Sequence, residues 1–178
     1  MKQVRKLNAD EINVKVKQVT DKGCLLLLYK DARVDMAILD ETFGPENWQC
    51  DYKVINGVLY CGIGVLRTDN GQNTWVWKWD CGIESKADDD GNEKKGEASD
   101  AFKRAGFKWG IGRELYTAPF IWAKVPTKNI GKETEKWVLV NRFQKFLVDS
   151  IEYNDKGEIS YLLINDEKGN KIYSGRKK

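Results

Sequence analysis

The sequence predicts an α+β fold: a three-stranded antiparallel β-meander packed on a following amphipathic helix, with a C-terminal β-hairpin extension. Three observations lead there. Residues 48–56, 58–67 and 74–81 read as strands; the first two meet at Asn56-Gly57, a strong tight-hairpin signal, and the second pair meet across the polar turn TDNGQN. From Glu97 onward Ala98, Ala101, Phe102, Ala105 and Trp109 follow the i, i+3, i+4, i+7 spacing of a helix face, and Gly110-Ile111-Gly112 ends it. The tail from 137 to 174 breaks at NDKG and NDEKGN into WVLV, FLVDSIEY, ISYLLI and KIY, a helix or strand followed by a hairpin or meander.

The other elements follow in order. Asn8 with Glu11 fits an amide-capped helix start, although VKVKQV just beyond alternates equally well as a strand. CLLLLY at 24–29 reads as a buried strand. DARVDMAILDETFG places Val34, Ala37, Ile38 and Phe43 at helical spacing and stops at Gly44-Pro45. ESKADDDGNEKKGE, 84–97, is charged and without periodicity, a loop leading into the second helix. After the glycines, RELYTAPFIWAKVP is a short helical or extended piece broken by Pro119 and Pro126, and TKNIGKETEK is a polar linker.

Composition excludes several classes of function. A chain of 178 residues suits one well-buried domain, and no apolar run reaches the length of a membrane span. The N-terminal MKQVRKLNADE is basic but leads into no apolar stretch, so the cytoplasm is the expected compartment. Cys24, Cys50, Cys61 and Cys81 form no close pair and read as reduced thiols; neither a disulfide framework nor a zinc site is expected. The chain has no histidine, which removes Ser-His and Cys-His nucleophile pairs and imidazole metal ligands. GNEKKGEA has the frame of a phosphate-binding loop, but Glu97 and Ala98 stand where lysine and a hydroxyl are needed; a calcium-loop alignment fails because Lys86 holds its first ligand position. A binding protein rather than an enzyme is expected, with no cofactor and no metal.

Charge points to what is bound. Residues 101–132 carry seven basic side chains against Glu114 alone, whereas residues 1–90 carry 12 basic and 15 acidic. A local basic field on a nearly neutral body marks a polyanion site on one face. On the second helix Lys103, Arg104, Phe107 and Lys108 fall outside the apolar arc, and Arg113 follows the glycines. Cations interleaved with an aromatic supply phosphate contacts and stacking surface, the needs of a single nucleic-acid strand without sequence readout. Trp75, Trp77 and Trp79 share one face of a strand, with Val76, Lys78 and Asp80 on the other. At least two of these tryptophans are expected in the core between sheet and helix, while one at a sheet edge is a candidate for stacking on an unpaired base.

SDAFKRAGFKWGIGRELY, 99–116, resembles the signature of the single-strand annealing superfamily that includes phage Sak proteins, bacterial DdrA and the eukaryotic Rad-fifty-two recombination protein. LDETFGPENWQ at 39–49 and WKWDCG at 77–82 are similar to phage and bacterial members, in the same order. The resemblance runs from Tyr29 to Tyr116, roughly half the chain. It implies a β-β-β-α core, assembly into a homo-oligomeric ring or arc, and ATP-independent binding of single-stranded DNA followed by annealing to a complementary strand in phage-type recombination and repair. The family's Lys-Arg pair, which contacts the DNA backbone, falls on Lys103 and Arg104. A further arginine of the Rad-fifty-two branch is replaced by Phe107 followed by Lys108, and Arg113 and Tyr116 fit the GIGRYLY pattern with Glu114 in place of a tyrosine.

On this reading residues 1–125 form the annealing core and residues 126–178 an extension packed on it. An exonuclease or single-strand-binding protein is the candidate partner, no membrane is involved, and the compartment becomes the host cytoplasm for a phage protein. End protection of single strands without annealing is the alternative, and a protein-interaction module with a basic face is the other.

Overall fold

The computed structural model describes residues 3–82 and 93–176. Two compact units are interleaved along the sequence, one of residues 1–6 and 31–113 and the other of residues 7–30 and 114–178. Among the described residues the fold is α+β with two α-helices, and every strand pairing is antiparallel.

In the first unit, helix α1 (Ala32–Phe43) starts at Asp31, whose carboxylate accepts from the Arg33 backbone N–H at 2.8 Å. It stops at Gly44, which takes φ +92° and donates to the Asp40 carbonyl; Pro45 then prevents continuation. Strands β3 (Trp48–Ile55), β4 (Val58–Asp69) and β5 (Gln72–Cys81) form a sheet in that order, after β1 (Ile12–Thr20) and β2 (Gly23–Lys30) of the other unit. Asn56-Gly57 and Asn70-Gly71 close the two hairpins with both residues at positive φ, the conformation of a type I′ turn. Because the second hairpin turns on two residues only, β4 and β5 each run two residues further into TDNGQN than expected.

Helix α2 (Glu93–Trp109) packs over β4 and β5. Cys61, Ile63 and Val65 of β4 and Ala101, Phe102 and Ala105 of α2 are buried, and each large apolar side chain removed from water contributes about 1.5–3 kcal/mol. The Trp109 indole N–H donates to the Ile63 carbonyl at 2.9 Å, while Trp48 lies 6.2 Å from the Phe102 ring and Phe43 6.0 Å from that of Trp109. Gly106 permits α1 and α2 to approach, since a Cβ there would collide with the buried Asp35 carboxylate. The helix begins a turn before the apolar stripe predicts, because Glu93–Gly96 contributes no apolar residue to mark it. The rest of the expected loop, 84–92, with the phosphate-loop and calcium-loop frames that run through it, lies outside the described residues.

The expectation that at least two of the tryptophans fill the core between sheet and helix is overturned. Trp75, Trp77 and Trp79 pair with Leu66, Gly64 and Gly62, which alternate with the α2-facing Val65, Ile63 and Cys61. They therefore lie on the sheet face away from α2, none of them is buried, and Val76, Lys78 and Asp80 face the helix instead. Two glycines in the middle of β4 thin out one face, so the fuller apolar face receives the helix.

In the second unit, a single 3-10 turn (Ala9–Glu11), with the Asn8 N–H donating to the Glu11 carboxylate at 2.8 Å, gives way directly to β1, so VKVKQV is strand. Six strands lie in the order β11-β10-β9-β1-β2-β6, with β6 (Ile121–Ala123), β9 (Phe146–Tyr153), β10 (Ile159–Asp166) and β11 (Lys171–Arg176). The outermost strands β6 and β11 come into contact, so the sheet is a near-barrel around Cys24, Leu26, Ile121, Ala123, Phe146, Ile159, Leu162 and Ile164. The C-terminal stretch is thus a meander of three strands within this sheet rather than a separate hairpin. The expected polar linker holds β7 (Thr127–Asn129), paired with β8 (Trp137–Leu139). Buried Glu114 accepts from the Leu7 N–H at 2.7 Å, and the Tyr153 hydroxyl donates to the Leu7 carbonyl at 2.8 Å.

Candidate nucleic-acid interface

Helix α2 meets the sheet through its apolar stripe, which leaves Lys103, Arg104, Phe107 and Lys108 on the remaining surface. Arg104 and Lys108 stand one turn apart and converge on one carboxylate. Asp80 Oδ1 lies 3.6 Å from Arg104 Nε and its Oδ2 3.7 Å from Lys108 Nζ. The Arg104 side chain is 38% exposed and that of Lys108 48%, and at these separations each pair is worth a few tenths of a kcal/mol to about 1 kcal/mol. Arg104 Nε is buried without a hydrogen-bond acceptor among the described residues. One carboxylate opposes two cations, so positive charge is left over beside α2 for an anion to meet.

The C-terminal end of α2 gathers further cations. Gly110 and Gly112 at φ +99° and +73° reverse the chain, and Arg113 returns to donate from Nε to the Phe107 carbonyl at 2.6 Å and from Nη2 to the Lys108 carbonyl at 2.9 Å. Lys78 Nζ donates to the same Lys108 carbonyl at 2.9 Å and sits 4.3 Å from the centre of the Trp109 ring. Burial lowers the Lys78 pKa, and the neighbouring Arg113 and Arg67 charges lower it further. Lys108 also donates to the Trp79 carbonyl. Arg113 therefore acts first as a helix cap, while its charge remains at an exposed surface.

The five residues selected from the sequence do not form one cluster. Arg104 and Lys108 share Asp80, and Lys108 and Arg113 meet at the helix end. Lys103 is half-exposed and lies toward Asp31, whose carboxyl is held down at about 2 chiefly by its hydrogen bonds from Arg33, with a smaller pull from Lys103. Phe107 is half-buried rather than fully projecting. Sequence reasoning missed Asp80 and Lys78 as members of the site. Their signal was the strand alternation that set them opposite the tryptophans, once the covered face is known to be theirs. Among the described residues no group of His, Cys, Asp or Glu side chains is arranged to hold a metal ion, and no helix is long and apolar enough to cross a membrane.

Residues 2–134 match the Rad52/22 family of double-strand break repair proteins. The chain belongs to that family. The match extends well beyond the stretch from Tyr29 to Tyr116 in which the motifs lie, and it agrees with the superfamily resemblance read from them. No individual curated protein matches the sequence. At family level, Rad52/22 proteins act in DNA repair and recombination by binding single-stranded DNA, annealing strands and oligomerising, as binding proteins rather than classical enzymes.

Proposed function

We propose that this protein binds single-stranded DNA without ATP and anneals complementary strands in phage-type recombination and repair, working as a homo-oligomeric ring or arc. Lys103, Arg104 and Lys108 meet the sugar-phosphate track, with Arg113 adding field at the end of α2 and Phe107 supplying apolar surface. The three-stranded sheet and α2 serve as the family's β-β-β-α core. The observation that carries this reading is the convergence of two α2 cations, Arg104 and Lys108, on one shared carboxylate, Asp80, in a chain of this family. Annealing needs backbone charge cancelled while bases stay free to pair, and cations on phosphates accomplish that without choosing a sequence.

The test is Lys103→Ala combined with Arg104→Ala. The slope of log affinity against log salt for an oligonucleotide should flatten by about 0.7 for each phosphate that is no longer neutralised, giving about 0.7–1.4 for the pair. Pairing of complementary fluorescent strands should slow in parallel. An unchanged slope in a folded double variant refutes the site; strand coating with no acceleration of pairing reassigns the protein to end protection.

A further inference from the structure

The aromatic face of the three-stranded sheet has no part in strand binding by α2. Trp75, Trp77 and Trp79 occupy alternate positions of β5, an outer strand of its sheet, on the side away from α2. Opposite Trp79 and Trp77 on β4 stand Gly62 and Gly64. A Cβ at Gly62 would lie 2.5–2.7 Å from Trp79 ring atoms, and one at Gly64 2.7–2.9 Å from those of Trp77. Both indoles therefore lie against bare backbone and are half-buried, with Lys53 Nζ over the Trp79 ring. The rings of Trp77 and Trp79 are tilted by only 24° with centroids 5.6 Å apart, and Trp75 continues the row at 6.5 Å and 37°. Trp75 is 38% exposed, uncommon for a residue of its size.

We propose that these three indoles form a stacking platform for unpaired nucleobases, laid along β5 on the face opposite the α2 cations. The inference rests on the single-stranded DNA reading. Three features favour nucleic acid over a second copy of this chain. The centroid spacings of 5.6 and 6.5 Å both exceed the rise of about 3.4 Å per nucleotide in a stacked strand, which suits bases spread along an extended one. Lys53 Nζ already sits 4.4 Å from the centre of the Trp79 ring and is only loosely paired with Asp51 at 3.7 Å, so a base arriving on the ring meets an ammonium free to turn to its phosphate. Beside the indoles, β3 sets polar Gln49, Asp51 and Lys53 on this face, groups suited to a hydrated strand, while its apolar Ile55 lies apart at the hairpin end against Val58. Alternation along β5 also sets Asp80, partner of Arg104 and Lys108, directly behind the platform, so a strand running along β5 has cations on one side and aromatic faces on the other.

The experiment compares oligo(dT) with an abasic oligonucleotide of equal length, binding to the intact protein and to Trp77→Leu across a salt series. The wild-type protein should bind oligo(dT) at least several-fold more tightly than the abasic strand. Trp77→Leu should lose about 5- to 150-fold on oligo(dT), little on the abasic strand, and should keep the wild-type salt slope, because stacking releases no counterions. Equal wild-type affinity for the two strands overturns the platform while leaving the annealing reading intact, and it decides the matter even where Trp77→Leu does not fold. Equal losses on both strands, or a smaller oligomer with DNA affinity unchanged, also overturn the platform, the latter by assigning the face to a second copy. Absence of binding to either strand by wild-type protein sinks both readings.

Discussion

Replacing Asp80 by asparagine is the most informative single change at the α2 surface. Asp80 is the counter-charge for Arg104 and Lys108, at 3.6 and 3.7 Å, and its Oδ1 also accepts from the Cys81 N–H at 2.9 Å. Asparagine keeps an oxygen for that backbone donor and removes only the charge. Each loose, partly exposed pair is worth about 0.2–1 kcal/mol, so a phosphate no longer competing with the carboxylate gains about 0.4–2 kcal/mol, or about 2- to 30-fold in affinity at low salt. One more cation free to neutralise a phosphate steepens the salt slope by up to about 0.7. Fluorescence anisotropy with a labelled oligonucleotide at several salt concentrations reads both quantities, and thermal unfolding checks that stability changes by no more than about 1–2 kcal/mol. Asp80→Asn binding no more tightly, with an unaltered slope and an intact fold, would mean that Arg104 and Lys108 do not face the strand.

Two further outcomes concern the fold that holds the site. Gly106→Ala places a methyl group against the buried Asp35 carboxylate between α1 and α2 and should cost about 1–3 kcal/mol, read as a lower midpoint in urea with no change in m-value. Asp31→Ala removes the α1 cap and should cost about 1 kcal/mol at neutral pH. The Asp31 carboxyl titrates lower in the folded chain than in the unfolded one, so its contribution is present above the ordinary aspartate value of 3.8 and is lost as pH falls through about 2. The wild-type and Asp31→Ala stabilities should therefore converge in that window, and a constant gap down to pH about 2 would contradict the assignment.

The local elements of this fold are written locally. Asp31 and Gly44-Pro45 bound α1 because a side-chain acceptor and a left-handed glycine act within a turn of their own positions. Asn56-Gly57 sets its hairpin because both residues adopt positive φ without strain. The solvent side of α2 is legible too, since helical periodicity alone sends Lys103, Arg104 and Lys108 away from Ala101, Phe102 and Ala105. Alternation in β5, by contrast, separates its two faces without saying which is covered. The answer lay in β4, where Gly62 and Gly64 leave the middle of one side bare and Cys61, Ile63 and Val65 fill the other. Large indoles suggested a core, but they lie over bare backbone instead, and Asp80 and Lys78 go to the helix with the opposite face. The pairing of β1 with β9 and of β2 with β6 joins segments far apart in the chain, and no short window records it.

That distant pairing bears on how the chain is made. Everything in the first unit precedes residue 114, and its hairpins join neighbours in sequence, so it can condense while translation is still under way. The near-barrel must wait: Cys24 needs Ala123 and Asn13 needs Leu147, each at the cost of closing a long loop. Until the last strands emerge from the ribosome, β1 and β2 have unsatisfied margins, and in that interval a nascent chain is most exposed to pairing with the wrong neighbour.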